Sequence, residues 1–289
     1  MSGALQTRRR RSRVAGGKGA LRRALAAGHM LWMFDFDNTL APLEPAVDWA
    51  GSRRELQAWL AAQGVSQALF GEFPRGNLVL YEALRARLCA GGDIARAVLG
   101  GLGEASAACG GGRLSETARS ILDGACAIIE RHELAGVRSV APATGALELL
   151  RALRAAGATV AVVTSNSSRT VAAWLKAQAA DGRADAVELV DLIVGRDSGL
   201  PLKPSPATLE RALALCTAAS ANAAFVGDSE ADLNAAKAAA VRFYGISATA
   251  EGRDRLTALG ASPVFSSPAA MAIYLDMPIE GTAAERSDL

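Results

Sequence analysis

The sequence is poor in aromatic side chains, at 5% of its residues, and has two histidines. A core with so few rings must be built mainly from Ala, Leu and Val, which favours helices packed closely on buried strands. His29 and His132 leave a zinc site short of ligands, and the four cysteines (Cys89, Cys109, Cys126 and Cys216) form no CxxC pair. Thiols spaced so widely are expected to stay reduced, as in the cytoplasm. Also missing is any apolar run near the ~20 residues needed to cross a bilayer, so no membrane is expected as a partner.

A large net charge is absent too, the formal value being +2. That small excess is unevenly placed. Arg8 to Arg11, Arg13, Lys18, Arg22 and Arg23 occur without a single acid between them, which leaves the remainder mildly acidic. The stretch lacks interleaved aromatics, so nucleic acid is not an expected partner. Its Gly16-Gly17-Lys18-Gly19 run lacks the upstream Gly and the Ser/Thr after Lys of a nucleotide-binding loop. Basic residues followed by the apolar stretch Leu25 to Phe34 imitate a targeting signal. That stretch runs directly into Asp35-Phe36-Asp37 with no small-residue cleavage site, so residues 1–28 are expected to be an uncleaved, disordered tail.

What the chain does have is apolar material, 51% of 289 residues, enough for a large core. Met30 to Asp37 (MLWMFDFD) reads as a buried strand ending in acids. Helical spacing follows at 53–62, 77–89, 93–99 and 115–131, with Gly-rich breaks between. Strands are then expected at 158–164, 191–195, 223–228 and 241–246. Helices are expected at 143–156, after Thr164 through Trp174, from Ser205, and at 230–240. Strands alternating with helices predict an α/β fold, a Rossmann-like parallel sheet with helices on both faces. The expected core is 29–45 with 138–280, and residues 46–137 form an inserted helical module.

Four stretches carry chemistry, each at or beyond the carboxyl end of an expected strand, where active sites of such sheets form. In Asp35-Phe36-Asp37-Asn38-Thr39, the two aspartates would share a face if the strand continued regularly, and two acids there need a cation or hydrogen bonds. In Thr164-Ser165-Asn166, a hydroxyl leaving a buried strand can hold a phosphate oxygen, assisted by backbone N–H groups. Prolines at 201, 204 and 206 stiffen the loop that aims Lys203. Gly227-Asp228-Ser229-Glu230-Ala231-Asp232 sets two acids four residues apart, oxygen ligands of the kind Mg²⁺ takes. Singly, each has a plain alternative: a solvated strand end, a helix cap, a surface lysine, a capped helix start.

Taken in order, the four stretches closely resemble the motifs of the haloacid dehalogenase-like superfamily, over roughly residues 30–245. The resemblance implies a Mg²⁺-dependent phosphatase that hydrolyses a small-molecule phosphate monoester through an aspartyl-phosphate. Asp35 would be the nucleophile and Asp37 the general acid/base. Thr164, Ser165, Asn166 and Lys203 would surround the phosphate. Asp35, Asp228 and the carbonyl of Asp37 would hold the metal, with Asp232 in support. The helical module looks like a type-one cap of phosphoglycolate phosphatase-like members, hinged near Ala41 to Pro45 and Gly136 to Pro142. Candidate substrate contacts are Glu44, Arg75, Asn77, Tyr81 and Arg85. The sequence departs from the family pattern at Asn38, where Gly is common, and the cap is longer than many in its class.

Retention of Asp37 favours phosphate esters over halides, which need no acid for the leaving group. A mutase would pass the phosphoryl group to a second substrate hydroxyl. A regulatory protein that merely binds phosphate would be expected to have lost a catalytic position, and none is lost. Phosphoglycolate, sugar phosphates and nucleoside monophosphates all meet these requirements.

Overall fold

The segment Leu31–Phe34 (β1) is apolar at each position and buried on both faces, so it must lie inside a sheet rather than at its edge. In the computed structural model, which describes residues 30–74, 76–99 and 114–277, β1 is central. It pairs in parallel with Thr159–Val163 (β2) on one side and Ala223–Gly227 (β4) on the other. Leu192–Val194 (β3) lies beyond β2, while Arg242–Ile246 (β5) and Val264–Phe265 (β6) extend the other wing. The order β3-β2-β1-β4-β5-β6 reverses direction between β1 and β4, the switch point at which such sheets bind ligands.

Among the described residues, the chain between β1 and residue 138 forms five α-helices away from the sheet: Trp49–Ala62 (α1), Ala68–Glu72 (α2), Asn77–Ala90 (α3), Gly92–Val98 (α4) and Glu116–Val137 (α5). They bury a core of their own, including Leu56, Leu60, Leu84, Ile121 and Ile129. Gly124 of α5 allows close packing on α1, since a Cβ there would stand 2.3 Å from the Trp59 ring. Leu202, from the loop after β3, is buried in this same cluster and so ties the insert to the sheet. The two connections of the insert also touch: a Cβ on Gly136 would meet the Ala46 carbonyl oxygen at 2.2 Å.

The remaining helices cover the sheet. Trp32, Phe34, Val160, Val162, Ala224 and Val226 face a core shared with Ala146–Ala155 (α6) and Ser168–Ala180 (α7). The alternate residues Leu31, Met33, Ala161, Val163 and Phe225 face Ala207–Leu215 (α8) and Glu230–Ala238 (α9). Alternation along each strand therefore builds two cores from one sheet. Ala250–Ala258 (α10) and Pro268–Tyr274 (α11), with β6 between them, complete the described chain; sequence periodicity did not reveal these three. The basic stretch, Arg75, Cys109 and Gly110 to Gly112 lie outside the described residues. Among the described residues, no helix is long and apolar enough to cross a membrane.

Trp174 ties α7 to the site strand. It is fully buried, its indole N–H donates to the Val140 carbonyl at 2.9 Å, and its ring meets the Phe36 edge at 5.3 Å. Replacing Trp174 by Ala should cost about 3–5 kcal/mol in urea unfolding, as large-to-small changes in close-packed cores do. A loss below about 1 kcal/mol would mean that the surroundings collapse into the space.

Candidate active site

The carboxyl ends of β1, β2 and β4 are neighbours, so the residues that follow them share one small region. Asp35 continues the ladder, its backbone N–H donating to the Val226 carbonyl at 2.8 Å. The strand then stops. Asp35 and Asp37 do not lie on a continued strand, because the chain turns at Asn38, whose φ is 56°. Glycine or asparagine adopts that left-handed geometry most readily, which accounts for Asn38 at a position where glycine is common in the resembling family. The Asp37 carboxylate is held by two backbone donors, Leu43 N–H at 2.8 Å and Glu44 N–H at 3.0 Å. Glu44 contributes that amide, while its side chain is exposed.

Lys203 reaches in from the loop after β3, through a cis peptide to Pro204. Its ammonium meets Asp35 at 2.6 Å, Asp232 at 2.5 Å and the Val163 carbonyl at 3.3 Å, so its three donors all have partners. Asp232 sits on the first turn of α9, where it also accepts from the Ser229 hydroxyl at 2.6 Å, forming a capping box. Gly227 makes this approach possible, since a Cβ there would lie 2.6 Å from that of Asp232. Asp228, next in sequence, brings a third carboxylate. The oxygens of Asp35, Asp228 and Asp232 lie within 4.8 Å of one another.

Three acids so close, with one ammonium among them, cannot all hold their charge easily. Burial pushes the Asp35 carboxyl up to about 7, against the pull of Lys203. Burial, then the charges of Asp35 and Asp232, pushes Asp228 up to about 8. Burial also raises Asp37 to about 6, opposed by the Glu44 and Leu43 amides. For Lys203 burial acts downward, but the Asp232 and Asp35 carboxylates outweigh it and hold the ammonium above its ordinary range. A hard divalent cation would relieve this frustration. Oxygens around Mg²⁺ lie about 3–4 Å apart, within the spacing found here, and an all-carboxylate donor set suits it. The residues fit the metal.

Thr164 and its neighbours form the third side. The buried Thr164 hydroxyl donates to Asn166 Oδ1 at 3.0 Å and accepts from the Asn166 N–H at 3.1 Å. The Asn166 side-chain amide continues to Glu133 at 3.1 Å, so that group braces the loop. The Ser165 side chain is half-buried beside Lys203.

Glu133, on α5, was not foreseen. It is fully buried and paired with fully buried Arg196 at 2.8 and 3.2 Å, while accepting from the Ser167 N–H at 3.1 Å and the Thr170 hydroxyl at 2.9 Å. Arg196 in turn donates to the Ser165 carbonyl at 2.9 Å. Burial acts against the guanidinium charge, yet Glu133 outweighs it and keeps Arg196 firmly protonated. A charge pair thus fastens the Thr164–Ser167 loop to the helical insert. In sequence both residues look like ordinary solvated charges. Among the candidate contacts on α3, Asn77 donates to the Trp49 carbonyl at 3.3 Å, and Tyr81 is buried beside Arg196. Arg85 is engaged by Glu82 at 2.5 Å.

Residues 118–246 match the family model described as Haloacid dehalogenase-like hydrolase. Over those residues the chain is similar to haloacid dehalogenase-like hydrolases. The matched segment holds Thr164, Lys203, Asp228 and Asp232; Asp35 and Asp37 precede it and join the group through the parallel pairing of β1. Solved structures of similar fold include CbbY from Rhodobacter sphaeroides in complex with phosphate, 25% identical, covering 86% of this chain and 99% of that one with a TM-score of 0.51. A putative phosphoglycolate phosphatase from Lactobacillus plantarum is 19% identical, covering 85% and 99% with a TM-score of 0.51. A putative haloacid dehalogenase-like hydrolase from Bacteroides fragilis is 17% identical, covering 83% and 97% with a TM-score of 0.50. No curated protein matches the chain.

Two outcomes are expected. Glu133→Gln leaves Arg196 buried without a counter-charge and should lose about 3–5 kcal/mol in denaturant unfolding, whereas adding Arg196→Met should recover part of that loss. A double variant as unstable as the sum of the singles would dissolve the pairing argument. The second concerns pH. The folded Asp35 and Asp228 carboxyls titrate near 7 and 8, above the value of 3.8 expected unfolded, so the metal-free protein should lose stability as pH rises from 4 through 8. Mg²⁺ must displace those protons, so its affinity, read by calorimetry, should climb about tenfold per pH unit for each proton displaced between about pH 6 and 8. An affinity flat over that interval would show the acids already ionised.

Proposed function

We infer that this protein is a Mg²⁺-dependent phosphatase of the haloacid dehalogenase-like family, acting on a small-molecule phosphate monoester with Asp35 as nucleophile. The observation that carries the reading is the convergence of Asp35, Lys203, Asp228 and Asp232 at the switch point of a parallel sheet, beside the hydroxyl loop of Thr164. The solved phosphate complex of CbbY, a structure of similar fold, is consistent with it.

The chemical difficulty is that a carboxylate must approach a phosphate dianion. Held by Asp35, Asp228 and the Asp37 carbonyl, Mg²⁺ would offset negative charge at the phosphoryl group. Lys203 supplies a fixed positive charge, and its ammonium, shared between two carboxylates, aims Asp35 and favours its ionised form against burial. A carboxylate oxygen of Asp35 forms the new P–O bond as the bond to the leaving oxygen breaks. Asp37, with its carboxyl pushed up to about 6, can give a proton to that alkoxide. It then takes a proton from the water that attacks phosphorus and releases phosphate, restoring Asp35. The Leu43 and Glu44 amides hold the Asp37 carboxyl in place through both steps. Thr164 and Ser165 face the transferred group from β2. The free thiols of Cys89, Cys126 and Cys216 suit a reducing cytoplasm, the compartment we assign.

Asp35→Asn should reduce hydrolysis of p-nitrophenyl phosphate by more than ~10³-fold, and EDTA should silence the wild type until Mg²⁺ is restored. Asp37→Asn should slow turnover by roughly 10²–10⁴-fold, with acid-stable phosphate trapped on Asp35 if formation outruns hydrolysis. Near-normal activity in Asp35→Asn would sink the nucleophile assignment.

A further inference from the structure

A cavity of about 620 Å³ lies between α3, α4 and the Leu202–Pro204 loop, and Ser165 and Lys203 line it as well. Those two residues belong to the site just described, so the cavity adjoins that site along its Ser165 and Lys203 side. Its volume is in the range that small-molecule pockets occupy. The wall is mostly apolar, built by Phe73, Leu78, Val79, Ala83, Ile94 and Leu202. Val79 and Ile94 are each 53% exposed, an unusual placement for large aliphatic side chains on facing helices beside an active site.

The charged groups on this wall are matched within the chain. Glu82 is held by Arg85 at 2.5 Å and by the Leu202 N–H at 3.2 Å. Arg87 is paired with Glu72 at 2.5 Å and lies 5.2 Å from the centre of the Phe73 ring. Lys203 is shared between Asp35 and Asp232. Among the described residues lining the cavity, no cation remains for a second anionic group. A carboxylate or second phosphate placed there would give up water and find no unpaired cation among those described residues.

We propose that this cavity receives the leaving alcohol of the substrate, and that this alcohol is uncharged and largely apolar, as in an aryl or longer-chain alkyl phosphate. The proposal rests on the phosphatase reading above and narrows it. It sets phosphorylated carboxylic acids and bisphosphates apart as poor substrates.

The test is kcat/KM of the full-length wild type on straight-chain alkyl phosphates from methyl to hexyl, phenyl and naphthyl phosphate, phosphoglycolate and a sugar bisphosphate. Values should rise roughly fourfold per added methylene until the cavity is filled, and the aryl esters should exceed both competitors that carry a second anionic group. Val79→Arg and Ile94→Arg place a cation on a wall already open to solvent, with folding checked by circular dichroism. Each should flatten the chain-length series and raise phosphoglycolate several-fold relative to hexyl phosphate. A flat series, or a wild-type preference for phosphoglycolate or the bisphosphate, overturns the substrate class and leaves the phosphatase reading standing. Absence of phosphate release from every ester, with no phosphate on Asp35, overturns both.

Discussion

The structure depends on one ammonium group held between two carboxylates. Lys203 is almost wholly buried, and its charge is tolerable there because Asp35 and Asp232 flank it at 2.6 and 2.5 Å. The lysine in turn favours the ionised form of Asp35, whose carboxyl burial pushes up to about 7. Much of the local architecture serves this arrangement. The parallel register brings the ends of β1 and β4 level, Gly227 leaves room for the Asp232 side chain, and Ser229 fixes its rotation. With Asp228 added, negative charge is in excess, which creates the demand for a divalent ion.

A second buried pair does a different job. Glu133 and Arg196 lie away from the three-carboxylate cluster, yet between them they hold the Ser165 carbonyl, the Asn166 side chain and the Ser167 N–H. The loop that would face the phosphoryl group is therefore shaped from behind by a residue of the helical insert. Replacing such a pair by apolar residues of equal volume can preserve stability, so its value here is better sought in the position of that loop.

The fold was legible in the sequence wherever an element was long and continuous. The apolar runs of β1, β2 and β4 announce strands buried on both faces, and the alternation with helices announces a parallel sheet. The strand β6 escaped because two residues carry no period, and α11 because seven residues make barely two helical turns. At the site, Asp35, Lys203, Asp228 and Asp232 were recognisable from spacing and order. The relation of Asp35 to Asp37 was not, because the turn at Asn38 depends on a backbone angle and not on residue type alone. Glu133 and Arg196 were invisible for a deeper reason. A charged residue on a helix is ordinarily solvated, and nothing in its local sequence declares that a partner 63 positions away will meet it in the interior.

Leu202 and Lys203 are adjacent in the chain but belong to different worlds: one is embedded among the side chains of the helical insert, the other in the charged centre of the sheet. A trans peptide spans about 3.8 Å between successive Cα atoms and does not stretch. A movement that separates the insert from the sheet must therefore either unseat Leu202, forfeiting about 1.5–3 kcal/mol of apolar burial, or drag the lysine from its acids. The bond between these two residues thus acts as a latch, biasing the insert toward the sheet before a ligand arrives.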